Sequence, residues 1–352
     1  MTRRLATTLF LLVVFGVVVA GIVGAAQGAG AEASSSVLED GDRTFTGTTL
    51  EEGDERVAIV PIRGSITGGS SDPSGASTGS DDTVGLIDAI VESDDYEAIL
   101  LELNTPGGGV LASAEITDAL ERAQDEGVKV VSWMRDSAAS GGYYVAAGTD
   151  RIVASRETIT GSIGVILQYV QVAELVKDIG VKPITIKSGK LKDIGSPFRD
   201  LTPEEQAVLQ ELIDESYAGF VDIVAEGRDL PESRVREIAD GRIYTGVQAE
   251  EIGLVDELGL RADAYKAVAK LLKEDEDDLE VVAFDRSYSF TELLTSSSER
   301  AFAGLDASRA VGELVNGALR GDGLRVGAGA ATPRAGAANS GDVVRLEYRA
   351  SL

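Results

Sequence analysis

The sequence predicts an α/β fold, and three observations carry that expectation. Apolar runs of strand length alternate with amphipathic stretches of helix length from residue 56 onward. Two strand-to-helix junctions, at 104–109 and 139–144, consist of small residues that let the backbone turn sharply. The chain has 352 residues, 43% of them hydrophobic, enough for one large domain or two small ones.

In chain order, Arg3 and Arg4 precede an uncharged run from Leu5 to Ala26, and the next charge is Glu32. The run is long enough to span a bilayer as a helix, with the arginines cytoplasmic and the remainder outside. A cleaved signal peptide competes, because small residues follow from Gly24 to Ala29. The length of the run favours an uncleaved anchor over 1–26. Residues 27–55, rich in Gly, Ala, Ser and acids, read as a linker. The first strand is expected at 56–62, a surface loop at 68–75, a helix at 83–93 and a buried-type strand at 98–103. A glycine turn at 107–109 leads to an amphipathic helix over 111–126 and a strand at 128–134. Further strands are expected at 151–154, 163–169 and 183–187. Thr202, Pro203 and Glu205 form a helix start with a capping box, and the spacing of Leu209, Leu212, Ile213, Phe220 and Ile223 predicts a long helix. Shorter helices follow at 231–239 and 246–252. The globular part is bounded at 56–273. Beyond it, 274–352 reads as an acid run at 274–280 and then a Gly/Ala-rich tail, flexible and docked only at its ends.

Composition excludes whole classes of chemistry. There is no His, so a Ser-His-Asp triad and His-ligated zinc are both impossible. There is no Cys, which removes thiol nucleophiles, disulfides and iron–sulfur clusters. A nucleophile must then be Ser or Thr, and its base a Lys, a carboxylate or an amino terminus. With 59 acidic and 32 basic residues the formal charge is -27, which repels nucleic acid and anionic headgroups. An acidic, lysine-poor, cysteine-free chain suggests a halophile.

Three segments can carry chemistry. Asn104-Thr105-Pro106-Gly107-Gly108-Gly109 follows a buried strand, and its glycines can bring amides close to a ligand or simply make a tight turn. In Ser137-Ala138-Ala139-Ser140-Gly141-Gly142-Tyr143-Tyr144, Ser140 stands at a strand-to-helix junction. There it could be a nucleophile in the field of a helix N-terminus, or only that helix's cap. Ser137 is the rival nucleophile. The third segment runs from Ile186 to Pro197. Five of the nine lysines lie between 177 and 192, as a basic patch or as the source of one lysine that enters a site. Lysine ionises near ~10.4 in water and acts as a base only where burial lowers that value. Strand alternation puts Lys190 and Lys192 on the same side and cannot choose between them.

Six motifs occur in order: 104–109, Ala-Ser-Gly-Gly-Tyr-Tyr at 139–144, Thr-Gly-Ser-Ile-Gly-Val at 160–165, Lys-Ser-Gly-x-x-Lys-Asp-Ile at 187–194, Ser-Pro-Phe-Arg at 196–199 and Asp-Gly-Arg-Ile-Tyr-Thr-Gly at 240–246. Together they resemble the signal peptide peptidase A (protease IV) family in its short, single-catalytic-domain form, over roughly 56 to 270. The resemblance implies the Clp protease/crotonase-like fold of repeated ββα units behind an N-terminal transmembrane helix. It implies Ser140 as nucleophile and Lys192, the lysine followed by Asp-Ile, as general base in place of Lys187 or Lys190. Ser162 is implied as the residue that orients the lysine amine, and the amides of Gly108 and Gly141 as the oxyanion hole. It further implies a homo-oligomeric ring and peptide substrates, including cleaved signal peptides, at the outer face of the cell membrane. Acyl transfer by such a dyad needs no cofactor and no metal. A crotonase-type acyl-CoA enzyme is the competing enzymatic reading, but it calls for neither anchor nor Ser–Lys pair. A ring-forming scaffold without catalysis is the third, opposed by the intact Ser140, Ser162 and Lys192.

Overall fold

The computed structural model describes residues 35–41 and 43–287, together with the backbone of 347–349. The expected anchor over 1–26 lies outside these residues. No helix among the described residues is long and apolar enough to cross a membrane.

The main sheet is built around β3 (Glu55–Arg63), β6 (Ala98–Thr105) and β8 (Lys129–Ala139), which run parallel. β6 is buried along nearly its whole length, as a strand covered on both faces must be, which explains its run of Ala-Ile-Leu-Leu. On one side the sheet continues through β13 (Leu279–Ser287), β2 (Arg43–Glu51) and β1 (Ser35–Asp40). On the other, β8 divides its partners. Its first half pairs β9 (Arg151–Ala154), and Ser137–Ala139 pairs β10 (Ile159–Gly161), beyond which lies β11 (Ile243–Thr245). β12 (Glu257–Leu258) adds to β9. A smaller sheet joins β4 (Ser65–Thr67), β5 (Ser77–Gly79), β7 (Gly107–Gly109) and β14 (Glu347–Arg349).

One face of the main sheet carries the larger core. There α1 (Ser80–Ser93), α2 (Val110–Asp125), α3 (Gly141–Ala147) and α5 (Pro203–Gly227) bring Ile87, Ile116, Tyr143 and Phe220 against Leu101 and Leu103. The opposite face is covered by α8 (Arg261–Leu272), which packs Ala264 and Val268 on Leu100 and Trp133. α4 (Ala173–Asp178), α6 (Glu232–Ile238) and α7 (Gly246–Glu251) complete the helices among the described residues. α5 begins as its sequence predicts: Thr202 caps it, Glu205 returns the capping-box bond and Pro203 stands in the first turn.

The structure corrects four expectations. Residues 35–40 and 43–51 of the supposed linker are β1 and β2, paired in register from Ser35 opposite Thr48 to Asp40 opposite Arg43. The supposed tail begins with β13, a strand inserted between β2 and β3 whose Leu279, Val281, Val282 and Phe284 are buried. Both pieces are polar enough to look like linker, yet β2 buries Phe45 and Gly47, and β13 carries its buried side chains through a register shift between Val281 and Val282. The strand expected at 163–169 is displaced to Ile159–Gly161, where the backbone finds the end of β8 as its partner. The stretch 183–187 forms no strand. It has the β-branched residues of one, but no ladder partner among the described residues, and Ile184 and Ile186 are 86% and 96% exposed.

Candidate active site

The site lies where β6 and β8 end side by side. β6 runs into the Asn104–Pro106 bend and then β7, whose three glycines pair with β4 across Ile66 and Gly108. A Cβ on Gly108 would stand 1.9 Å from the Ile66 carbonyl oxygen, so only glycine fits this approach of two backbones. Asn104 stitches the two strand ends together. Its Oδ1 accepts from the Ser137 amide at 3.3 Å and its Nδ2 donates to Asp136 at 3.3 Å.

β8 ends at Ser140, whose φ of 55° and ψ of -119° lie in a region that L-residues rarely occupy. The position is held from both sides. The Ser140 amide donates to the Gly161 carbonyl at 2.8 Å, and its own carbonyl accepts from the Tyr144 amide at 2.9 Å. Tyr143 anchors the helix behind it by donating to the Leu254 carbonyl at 2.8 Å. Burial and the nearby Asp256 push the Tyr143 phenol well above its ordinary range, so it remains a donor there. An uncommon backbone conformation maintained by this many partners is the kind of strain found at reactive centres.

The Ser140 hydroxyl is fully buried and has no hydrogen-bond partner among the described residues. It does not cap α3. Ser137 differs: its hydroxyl donates to the Thr105 carbonyl at 3.2 Å. The geometry therefore separates the two serines that the sequence left in competition. Gly141 and Gly108 come together in front of Ser140, since a Cβ on Gly141 would lie 3.1 Å from the Gly108 amide nitrogen and 2.5 Å from the Ser113 hydroxyl. Ser113, which donates to the Gly109 carbonyl at 3.0 Å, is a wall of the site that no motif singled out. Its signal is only a small residue one helical turn into α2.

Ser162 follows the residue that holds the Ser140 amide. It has φ of 52°, is almost wholly buried, and donates its amide to the Arg242 carbonyl at 2.8 Å. It lines a cavity of about 630 Å³ with Gly164, Val165, Tyr217 and Arg242. The motif at 240–246 thus returns to the site, supplying the carbonyl that holds Ser162.

Lys192 stands apart. It lies in the turns after Gly189 and is exposed, not buried as its role would require. Its neighbours are committed elsewhere: Lys187 pairs with Asp193, and Lys190 with Glu204. The Lys192 amine makes no hydrogen bond or ion pair with a described side chain, which distinguishes it from both rivals. No group of three or more acidic residues among the described residues is arranged to hold a metal ion.

One more element reaches the site. β14 pairs antiparallel with the glycine strand, Tyr348 opposite Gly108 and Arg349 opposite Gly107. Residues 347–349 therefore lie along the edge beside Ser140 as an added strand.

The profile of peptidase family S49 matches residues 122–275, a span that contains Ser140, Ser162 and Lys192 and begins after Gly108. A putative signal peptide peptidase SppA of Enterococcus faecium is 39% identical over 249 residues, covering 68% of this chain and 72% of that protein. The chain belongs to the SppA family of S49 peptidases. A putative protease of Synechocystis shares 44% identity over 210 residues, with 60% and 76% of the two chains covered. Protease 4 of Haemophilus influenzae shares 32%, but this chain spans only 36% of its length. A ClpP1 mutant from Listeria monocytogenes, 16% identical, aligns over 58% of this chain and 93% of that one with a TM-score of 0.40. As an SppA-family protein the chain is a serine peptidase, in a mixed α/β fold.

Proposed function

We propose that this serine peptidase is an endopeptidase with a Ser–Lys dyad: Ser140 attacks, Lys192 is the general base, Ser162 orients the amine, and the amides of Gly108 and Gly141 bind the oxyanion. The observation that carries the reading is the Ser140 hydroxyl, unpartnered at a strained junction beside two converging glycines. An extended peptide would add to β7 as residues 347–349 do, which sets its carbonyl groups along the glycine strand. The neutral Lys192 amine takes the Ser140 proton as Oγ bonds to the scissile carbonyl carbon. The two amides hold the resulting oxyanion, a contribution of roughly 2.7–4 kcal/mol for one such donor. The ammonium then protonates the leaving amine, and water, activated by the same amine, hydrolyses the acyl-enzyme.

Lys192 must lose its exposure to act so. Packing of identical subunits into a ring would remove water from its segment, where Leu175, Ile179, Ile184 and Ile186 are exposed apolar side chains. The anchor over 1–26 would hold the catalytic domain on the outer face of the membrane, with cleaved signal peptides and other membrane-associated peptides as substrates. The repeated ββα architecture belongs to the same reading, and the acidic surface suits a salt-rich setting.

The deciding experiment is labelling with a fluorophosphonate probe followed by peptide mapping. The adduct is expected on Ser140 and absent from Ser140→Ala; an adduct on Ser137 would defeat the assignment. Topology has its own test, because the chain contains no Cys. A Ser74→Cys variant, its cysteine in an exposed loop, should react in intact cells with a membrane-impermeant maleimide. Reaction only after lysis would reverse the orientation.

A further inference from the structure

The Ser-Pro-Phe-Arg motif at 196–199 has no part in the dyad, yet its arginine is among the most fully bonded side chains described. A guanidinium has five N–H donors. In Arg199, Nε donates to Asp193 Oδ2 at 2.9 Å. Nη1 donates to the Asp200 carbonyl at 3.0 Å and to Glu205 Oε2 at 2.8 Å. Nη2 donates to the Asp193 carbonyl at 3.0 Å and to Glu205 Oε1. Every donor is thereby used.

The two carboxylates belong to different structures. Glu205 is in the first turn of α5, its side chain 2% exposed, and it already closes the capping box with Thr202. Helix capping therefore does not require Arg199. Asp193 is the residue after Lys192, within consecutive turns in which the Lys192 amide donates to the Gly189 carbonyl at 3.3 Å and the Ser196 amide to the Asp193 carbonyl at 3.1 Å. Lys187 grips the other side of Asp193, and Lys190 reaches Glu204, also in the first turn of α5. The segment around Lys192 has few apolar contacts of its own, so these charged bonds are what fix it to a rigid helix.

We propose that Arg199 is the positioning residue of the general base, locking the Asp193 turn to the N-terminus of α5 so that the adjacent Lys192 is presented at one fixed place. The inference rests on the reading of Lys192 as base. Lysine could not replace Arg199, since one ammonium cannot reach two carboxylates and two carbonyls that diverge in this way. The Asp193 carboxyl is held well below its usual range by Arg199 and then Lys187, so the lock persists in mild acid.

The test compares Arg199→Lys, Glu205→Gln and Lys192→Ala in the full chain. It follows peptide hydrolysis and the rate of Ser140 phosphonylation, with thermal melting as the control for folding. A displaced Lys192 amine meets Ser140 in the reacting geometry less often, while the peptide-binding edge at β7 is untouched. Arg199→Lys is therefore expected to lower kcat and the phosphonylation rate by about tenfold or more with KM within twofold and unchanged melting. Glu205→Gln should show the same split to a smaller degree, and it carries the test if Arg199→Lys does not fold. Wild-type kcat in these variants would overturn the proposal, and so would a loss that appears in KM or in melting as much as in kcat. An active Lys192→Ala enzyme would instead remove the base assignment itself, an outcome visible independently of Arg199.

Discussion

The two halves of the proposed dyad are built by different physics. Ser140 is held by backbone: a parallel strand on each side, amides and carbonyls that determine φ and ψ, and glycines admitted because nothing larger fits. Lys192 is held by charge: Arg199, Asp193, Glu205, Lys187 and Lys190 brace an otherwise open segment against α5. The difference teaches where each half can yield. Backbone constraints are indifferent to salt and pH but intolerant of any added atom. Ionic braces tolerate substitution of their surroundings but respond to protonation and screening.

The comparison can be broken most directly at the reacting atoms. Ser140→Ala should reduce kcat by about 10⁴-fold or more with unchanged melting, and Lys192→Arg should match it, because a guanidinium does not release its proton at working pH. A Lys192→Arg enzyme with substantial activity would leave the second half without a function. Next in size is Gly108→Ala. Its methyl group would collide with the Ile66 carbonyl, so a destabilisation of roughly 1–3 kcal/mol is expected together with a large loss of rate. Normal stability with normal rate would show that β7 is more pliable than its pairing implies. Ser162→Ala should cost about 10-fold to 100-fold in kcat, the worth of one hydrogen bond to a charged partner, with little change in KM.

Acid should separate the halves. Glu205, bonded first by Arg199 and then by the Thr202 amide, is lowered to about 2. Because its folded value lies below the unfolded one, near ~4.3, its contribution is complete above that value and is lost as pH falls through about 2. Hydrogen exchange at the first turn of α5 should therefore rise across that interval while α3 remains protected. Equal loss of protection in both would refute the division. The smallest effect belongs to Ser137→Ala, which removes one hydroxyl bond to Thr105 and should leave kcat within about twofold.

Legibility followed the same division. The junctions at 104–109 and 139–144 could be read because a backbone that admits only glycine leaves its mark at single positions. The parallel core strands could be read because burial on both faces favours apolar runs such as Ala-Ile-Leu-Leu at 98–101. The identity of β1, β2 and β13 lies in their partners: each is rich in polar residues, and acids such as Glu52 and Asp278 stand beside them. The opposite error came at 183–187, where β-branched side chains without a neighbouring strand do not make one. In the site, small residues in ordered motifs pointed to Ser140, Gly108, Gly141 and Ser162. They could not reveal that Lys192 would stand in the open, because exposure is set by what packs around a segment and not by its own residues. Ser113 was illegible for a related reason, since its role comes from the approach of Gly141 on another element.

The pairing of Tyr348 with Gly108 has a consequence for anyone who handles the protein. An affinity tag or fusion partner joined downstream of Arg349 loads the strand that occupies this edge, whereas one joined ahead of β1 leaves that strand unburdened. The two preparations compared in one assay would report how far residues 347–349 compete with a peptide for β7.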